Sequence, residues 1–315
     1  MKNKWSVCVT STTFSRDSIL VNKINEYPFK KISLNKTHYL LDGEELIHFL
    51  KNKNGAIIGR DRVDNHILEA CPRLEVISKF GVGLDNIDIE ACRRHKVELV
   101  FSEGVNRRSV AEQTLGFMIF LIRNLYRTSF KLKSLEWDKN GGHQLTGKKI
   151  GIIGVGQVGK EVVELLKPFE CDIFINDIID QESYYQQNGL IETSKDQIYK
   201  ECDIITLHTP LTPLTSQMVH RDIFKMMKKS AFLINTARGD IVNQDDLKWA
   251  LKNDVIAGAA VDVYRIEPPL DEAFLELPNL ICTPHIGGNA REAIISMGMH
   301  AIEDLVHYFS NRKDD

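Results

Sequence analysis

No two of the six cysteines (Cys8, Cys71, Cys92, Cys171, Cys202, Cys282) form a C-x-x-C pair. That argues against a zinc site and against a disulfide framework, and predicts free thiols in a reducing compartment. Neither sign of charge is in excess: 40 Lys and Arg stand against 43 Asp and Glu, a formal charge of −3. A chain without a basic field is not built around nucleic acid. Long apolar runs are missing too. The most apolar stretch, residues 115–122, stops at Arg123 and is too short to cross a bilayer. The first residues, MKNKWSVCVTSTTFSRD, lack the apolar core of a signal sequence. These absences predict a cytoplasmic protein with no membrane partner. Repeats, low-complexity tracts and Gly/Ser linkers are also lacking. What is there is an ordinary globular composition, 43% apolar and 26% charged over 315 residues, enough for about two domains.

The first hundred residues alternate apolar strands (6–10, 56–59, 75–79, 97–101) with helical stretches (18–27, 42–52, 64–70, 88–95). Such alternation predicts βαβ units and a parallel sheet covered on both faces. Ser109 and Glu112 have capping-box spacing. From there to about Trp137 the chain has no proline and one glycine, which predicts a single helix of ~28 residues, about 42 Å long. A helix of that length suits a domain connection or a subunit interface, and Gly141-Gly142 ends it. A second series follows, with strands at 149–154, 172–177, 203–208, 231–235, 256–261 and 280–283. Six strands with intervening helices fit a doubly wound sheet. A last helix, 289–309, lies beyond the final strand and predicts a return to the first domain.

Gly154-Val-Gly156-Gln-Val-Gly159 joins an apolar strand to a helical stretch. Gly154 permits the tight turn, Gly156 lets the backbone approach a pyrophosphate, and Gly159 allows close helix–strand packing. The helix N-terminus adds free N–H groups and a positive dipole end. Asp177 lies roughly 20 residues further on, where a carboxylate grips the ribose 2′-OH. No arginine follows it to accept a 2′-phosphate, so the pattern favours NAD over NADP. Some 150 residues precede the loop, which places a substrate domain first.

Three later stretches are Asn235-Thr-Ala-Arg238-Gly-Asp-Ile-Val, Val261-Asp262-Val-Tyr-Arg-Ile-Glu267-Pro268-Pro269 and Thr283-Pro-His285-Ile-Gly287-Gly288. With the mid-chain glycine loop, they resemble the D-isomer-specific 2-hydroxyacid dehydrogenases from about Gly55 to Ala301. The resemblance implies an α/β fold of two doubly wound parallel-sheet domains with a cleft between them. One is a Rossmann domain for NAD (106–289, with the long dimerisation helix). The other is a flavodoxin-like substrate domain (1–105 and 290–315). It places Arg238, Glu267 and His285 at the family's catalytic positions, although Arg265 stands where a first acid often precedes Glu267. It also implies NAD contacts from Gly154, Gly156, Gln157, Val158, Gly159, Asp177, Thr209, Thr236, Ala237, Arg238, Asp262, His285, Gly287 and Gly288. Substrate contacts fall to Arg60, Gly81, Val82, Gly83, Asn106 and Arg238, and no metal is implied.

Oxidising a 2-hydroxy acid removes a hydroxyl proton while a hydride leaves the same carbon. An imidazole suits the proton step, a carboxylate would fix its tautomer, and a guanidinium clamps the substrate carboxylate. The run Ile77-Ser-Lys-Phe-Gly81-Val-Gly83-Leu-Asp-Asn86-Ile-Asp88 looks most like the D-3-phosphoglycerate dehydrogenase branch. There Arg60 would meet a phosphate, with Asp61 as a competing carboxylate and Arg107 or Arg108 as further cations. Hydroxypyruvate/glyoxylate reductase and D-lactate dehydrogenase stay open, as does an NAD-sensing corepressor, against which the full Arg238, Glu267, His285 set speaks. Because the sequence stops soon after its last helix, no serine-binding regulatory domain is expected. A homodimer is. His208 sits at a strand end near the dinucleotide without assigned chemistry. His38, His48, His66, His95, His143, His220, His300 and His307 read as structural or exposed.

Overall fold

The computed structural model describes residues 4–37 and 39–312, so His38 lies outside the described residues. The chain divides into two compact units: residues up to Asn106 together with those from Gly288 onward, and Arg107–Gly287.

The first unit runs β1 (Ser6–Val9), α1 (Thr12–Arg16), α2 (Ser18–Asn25), β2 (Lys31–Leu34), α3 (Gly43–Leu50), β3 (Gly55–Ile58), α4 (Asn65–Ala70), β4 (Val76–Lys79), α5 (Ile89–Arg94) and β5 (Glu98–Val100). Its five strands are all parallel, in the order β2-β1-β3-β4-β5. Side chains alternate between the two faces of a strand. Cys8, Ala56, Ile58 and Ile77 therefore pack with Leu46, Leu50, Leu68 and Ala91 on one face, while Val7, Val9, Ile57 and Val76 meet Leu20 and Ile24 on the other. Each fully buried Ile or Val stabilises by about 1.5–3 kcal/mol relative to exposure. The edge strand β2, absent from the pattern reading, adds a fifth strand.

The second unit runs α6 (Arg107–Ile122), α7 (Leu125–Lys133), β6 (Lys149–Ile153), α8 (Gln157–Leu166), β7 (Asp172–Asn176), α9 (Glu182–Gln187), β8 (Ile191–Glu192), α10 (Lys195–Glu201), β9 (Ile204–Leu207), α11 (Arg221–Met226), β10 (Phe232–Asn235), α12 (Gln244–Lys252), β11 (Gly258–Val261), α13 (Glu272–Leu275) and β12 (Leu280–Cys282). The sheet order is β12-β11-β10-β9-β6-β7-β8, again all parallel. Seven strands replace the expected six, the addition being the two-residue edge β8. The order reverses between β6 and β9, and ligands bind at the carboxyl ends of strands at such a switch point. The chain then returns to the first unit as α14 (Arg291–Asn311), whose Ala301, Ile302, Leu305 and Phe309 complete that unit's second face.

The single long helix is corrected. The structure has two helices, with Asn124 between them in the left-handed region at φ +53°. The carbonyl of Ile122 accepts from the N–H of His143 at 2.8 Å, so the helical ladder ends there. Gly142 makes this approach possible, since a Cβ on it would stand 2.1 Å from that carbonyl oxygen. The capping box also fails. α6 begins at Arg107, the Ser109 hydroxyl donates to the Gly287 carbonyl, and Glu112 pairs with Arg108 at 2.7 Å.

Candidate active site

The glycine loop leaves the carboxyl end of β6 at the switch point. Gly154 has φ +95°, and a Cβ there would lie 2.6 Å from the His208 carbonyl carbon. The loops after β6 and β9 thus touch, and only glycine fits between them. A Cβ on Gly159 would come within 2.2 Å of the Gly154 carbonyl oxygen, whereas nothing lies within 4 Å of one on Gly156. That open side faces the N-terminus of the ten-residue α8, which no side chain caps. Gln157 is exposed there, while Val158 packs into the core. Asp177 accepts from the Val155 N–H at 2.5 Å and the Ile179 N–H at 2.9 Å, which fixes its carboxylate beside the loop. The buried Thr209 hydroxyl has no hydrogen-bond partner among the described residues. A buried hydroxyl left unpaired is costly. An orphan group, an uncapped helix end, an open glycine and a fixed acid together fit a dinucleotide.

The catalytic candidates follow strand ends of the same sheet. His285, three residues past β12, has φ +54°, an uncommon conformation for a residue with a side chain. Its Nδ1 lies 2.8 and 3.0 Å from the Glu267 carboxylate oxygens. Glu267 also accepts from the Tyr264 N–H at 3.2 Å, and the Glu267 and His285 side chains are 17% and 35% exposed. Arg265, at the position of the missing first acid, instead lies 3.6 Å from Asp240. Arg238 follows β10, half-buried, and its Nη1 donates to the Ala237 carbonyl at 2.7 Å. The Thr236 hydroxyl lies 3.1 Å from that of Thr114 on α6, and the Ala237 N–H donates to Asn235. Asp262 is buried, and its oxygens accept from the Thr283 hydroxyl at 2.5 Å and from the N–H groups of Ile286 and Gly287 at 2.9 and 2.7 Å.

In the first unit, order reverses between β1 and β3, and Arg60 follows β3 at that edge. Gly59 packs on Ser11, whose Cβ would be 3.0 Å from a Cβ added to the glycine. Asp61, the competing carboxylate, is buried; one oxygen accepts from the Thr10 hydroxyl and the other from the Leu41 N–H at 2.8 Å. Gly81, Val82 and Gly83 form the turn after β4, with Gly81 at φ +123°. Asn106 has a buried side-chain oxygen without a hydrogen-bond partner among the described residues, and Gly288 lies against its side chain. Arg107 and Arg108, the further candidate cations, pair with Glu161 at 3.3 and 3.0 Å, which ties α6 to α8.

Pattern reasoning missed Lys79, a buried ammonium whose Nζ donates to the Gly59 carbonyl beside Arg60. It stood inside a recognised run but as an ordinary strand residue. Burial pushes the Cys8 thiol up to about 12 and that of Cys71 to about 11, so neither is a nucleophile at neutral pH. Among the described residues, no group of three His, Cys, Asp or Glu is placed to hold a metal.

The family model described as D-isomer specific 2-hydroxyacid dehydrogenase, NAD binding domain, matches residues 115–287. A D-3-phosphoglycerate dehydrogenase of Methanocaldococcus jannaschii is 35% identical over 269 residues, 84% of this chain and 51% of that protein. The chain therefore spans about half the length of the phosphoglycerate dehydrogenases it matches. A hydroxypyruvate reductase of Thermotoga maritima is 31% identical over 281 residues, 87% of this chain and 91% of that protein. Among solved structures, the TT0316 protein from Thermus thermophilus superposes with a TM-score of 0.89 at 27% identity, over 98% of both chains. The NAD-binding unit described above and the histidine–glutamate pair on its strand edge have one common setting: the chain belongs to the D-isomer-specific 2-hydroxyacid dehydrogenases.

Proposed function

We propose that this protein moves a hydride between NAD(H) and a small D-2-hydroxy acid or its 2-keto acid. The preferred pair is D-3-phosphoglycerate and 3-phosphohydroxypyruvate. The observation that carries the reading is the His285–Glu267 pair at the carboxyl edge of the dinucleotide-binding sheet. NAD, when bound, accepts or returns the hydride. Glu267 accepts from Nδ1–H of His285, which leaves Nε2 to take the hydroxyl proton during oxidation and give it back during reduction. Arg238, a permanent cation with a planar fork, holds the substrate carboxylate. Asp177 accepts from a ribose 2′-OH and repels a 2′-phosphate, so NAD is preferred to NADP. On the first unit, the N–H groups of Gly81, Val82 and Gly83 suit a carboxylate. Arg60 and Lys79 supply the cations without which a buried phosphate would be too costly to desolvate.

A second reading, reduction of hydroxypyruvate or glyoxylate, draws on the Thermotoga maritima relative, which this chain matches over 91% of its length. A homodimer built on α7 belongs to the same proposal, since none of that helix's side chains is buried. So do a cytoplasmic location and a small-molecule ligand in place of nucleic acid or a membrane. No helix among the described residues is long and apolar enough to cross a membrane.

The test compares kcat/KM for 3-phosphohydroxypyruvate, hydroxypyruvate, glyoxylate and pyruvate with NADH and NADPH. His285→Ala should lose ~10²–10⁴ in rate while NADH still binds. Near-normal turnover by that variant removes His285 from the mechanism. If phosphate gives no advantage, the second reading replaces the first; if Arg60→Ala leaves the advantage intact, the phosphate role of Arg60 is wrong.

A further inference from the structure

His285 holds a left-handed backbone conformation at φ +54°, and an L-residue keeps such a conformation only where its surroundings over-determine it. The nearest restraint is Asp262. Its buried carboxylate accepts from the Thr283 hydroxyl and from the Ile286 and Gly287 N–H groups, so it grips the turn on both sides of the histidine. The turn is closed by the His285 N–H donating to the Thr283 carbonyl at 3.0 Å.

That grip is anchored from outside the turn. Thr283 has one hydroxyl proton, and it goes to Asp262, so the oxygen can only accept from a second partner. Gln113 supplies this bond, its Nε2 donating at 2.8 Å. At the other end, the Ser109 hydroxyl donates to the Gly287 carbonyl. Ser109 and Gln113 are four residues apart and lie on one face of α6. That helix is itself fixed by the buried side chains of Val110, Thr114, Phe117 and Met118. A Cβ on Gly287 would stand 3.0 Å from Asp262 Oδ2 and 3.7 Å from Gln113 Oε1, so the turn, the acid and the helix are in close contact.

We infer that Ser109 and Gln113 are positioning residues for the reaction: α6 clamps residues 283–287 at both ends and so sets the direction of the His285 imidazole. Neither residue touches the reacting atoms. The inference rests on the proposed role of His285 in proton transfer, and the experiment separates the two.

The test uses the full chain carrying Ser109→Ala, Gln113→Met, both together, and Ser109→Thr, which keeps the hydroxyl. Misplacement of a reacting group by about 1 Å can cost ~10²-fold. The double variant should therefore lose about 10-fold or more in kcat, with KM for the keto acid and Kd for NADH unchanged. Amide hydrogen exchange at Ile286 and Gly287 should accelerate in the same variant, and Ser109→Thr should retain wild-type kcat. Wild-type kcat in the double variant overturns the inference, as does a loss that Ser109→Thr shares equally with Ser109→Ala. Should the double variant fail to fold, Ser109→Ala alone is judged by the same kcat and exchange criteria. An active His285→Ala sinks the proton-transfer reading. An inactive His285→Ala beside a fully active double variant sinks the clamp alone.

Discussion

His208 closes β9 against the glycine loop, its Nε2 3.0 Å from the Thr206 hydroxyl, and burial pushes its imidazole down to about 3. A histidine that is hard to protonate when folded, and ordinary when unfolded, gives the unfolded state the extra proton in acid. Its full contribution is present above about pH 6.5 and is lost as the pH falls from there toward 3. We expect the urea midpoint of the wild type to drop across that window, and His208→Asn, which keeps a polar partner for Thr206, to flatten the drop. Equal acid-side slopes in the two proteins would assign the effect elsewhere. Single residues were legible in the sequence where the chemistry allows few alternatives. Gly154, Gly159 and Asp177 have spacings tied to a turn and a ribose, and His285 and Glu267 are types suited to a shared proton. Ser109 was misread because a serine near a helix start suits a cap as well as a tertiary donor. Gln113 carries no local signal at all, because its partner Thr283 is 170 residues away.

Central strands announce themselves through continuous apolar runs buried on both faces: β1, β4, β6, β7 and β9–β11 fall within predicted ranges, β3 begins one residue ahead of its range, and the edge strands β5 and β12 also lie inside theirs. The two strands without a prediction are edges. Lys31-Ile-Ser-Leu34 has no fully buried residue, and Ile191-Glu192 is exposed throughout. Such edges pair because a neighbour is there, with little pattern of their own. The long helix shows the reverse failure, a sequence with strong local helix preference that is interrupted by residues 140–143 capping Ile122. α7, on the far side of that break, leaves Leu125, Phe130 and Leu132 at 40%, 55% and 54% exposure, followed by Leu135 at 93% and Trp137 at 79%. These exposed apolar side chains are the surface that the proposed dimer would cover. If it is the proposed dimer contact, light scattering will give twice the chain mass for the wild type and the single chain mass for Leu135→Asp/Trp137→Asp. A wild type that is monomeric at micromolar concentration would refute it.

On the scale of the whole molecule, length and alternation were enough to anticipate two α/β units, because each sheet needs helices on both faces and a right-handed return between parallel strands. The chain passes from one unit to the other twice, after Asn106 and after Gly287. Within the first unit, Gly288 lies so close to Asn106 that a Cβ on it would be 2.5 Å from the amide nitrogen. Within the second, Ser109 holds the Gly287 carbonyl. Both ends of residues 107–287 therefore emerge at one place, and the NAD-binding unit sits in the chain as a cassette inserted into another fold. Expressed alone, residues 107–287 should unfold cooperatively on heating and enhance NADH fluorescence; a fragment with no thermal transition would show that the host is needed. The two segments of the first unit meet at Asn106 and Gly288, so joining residue 106 straight to residue 288 would give the host fold a continuous chain of its own.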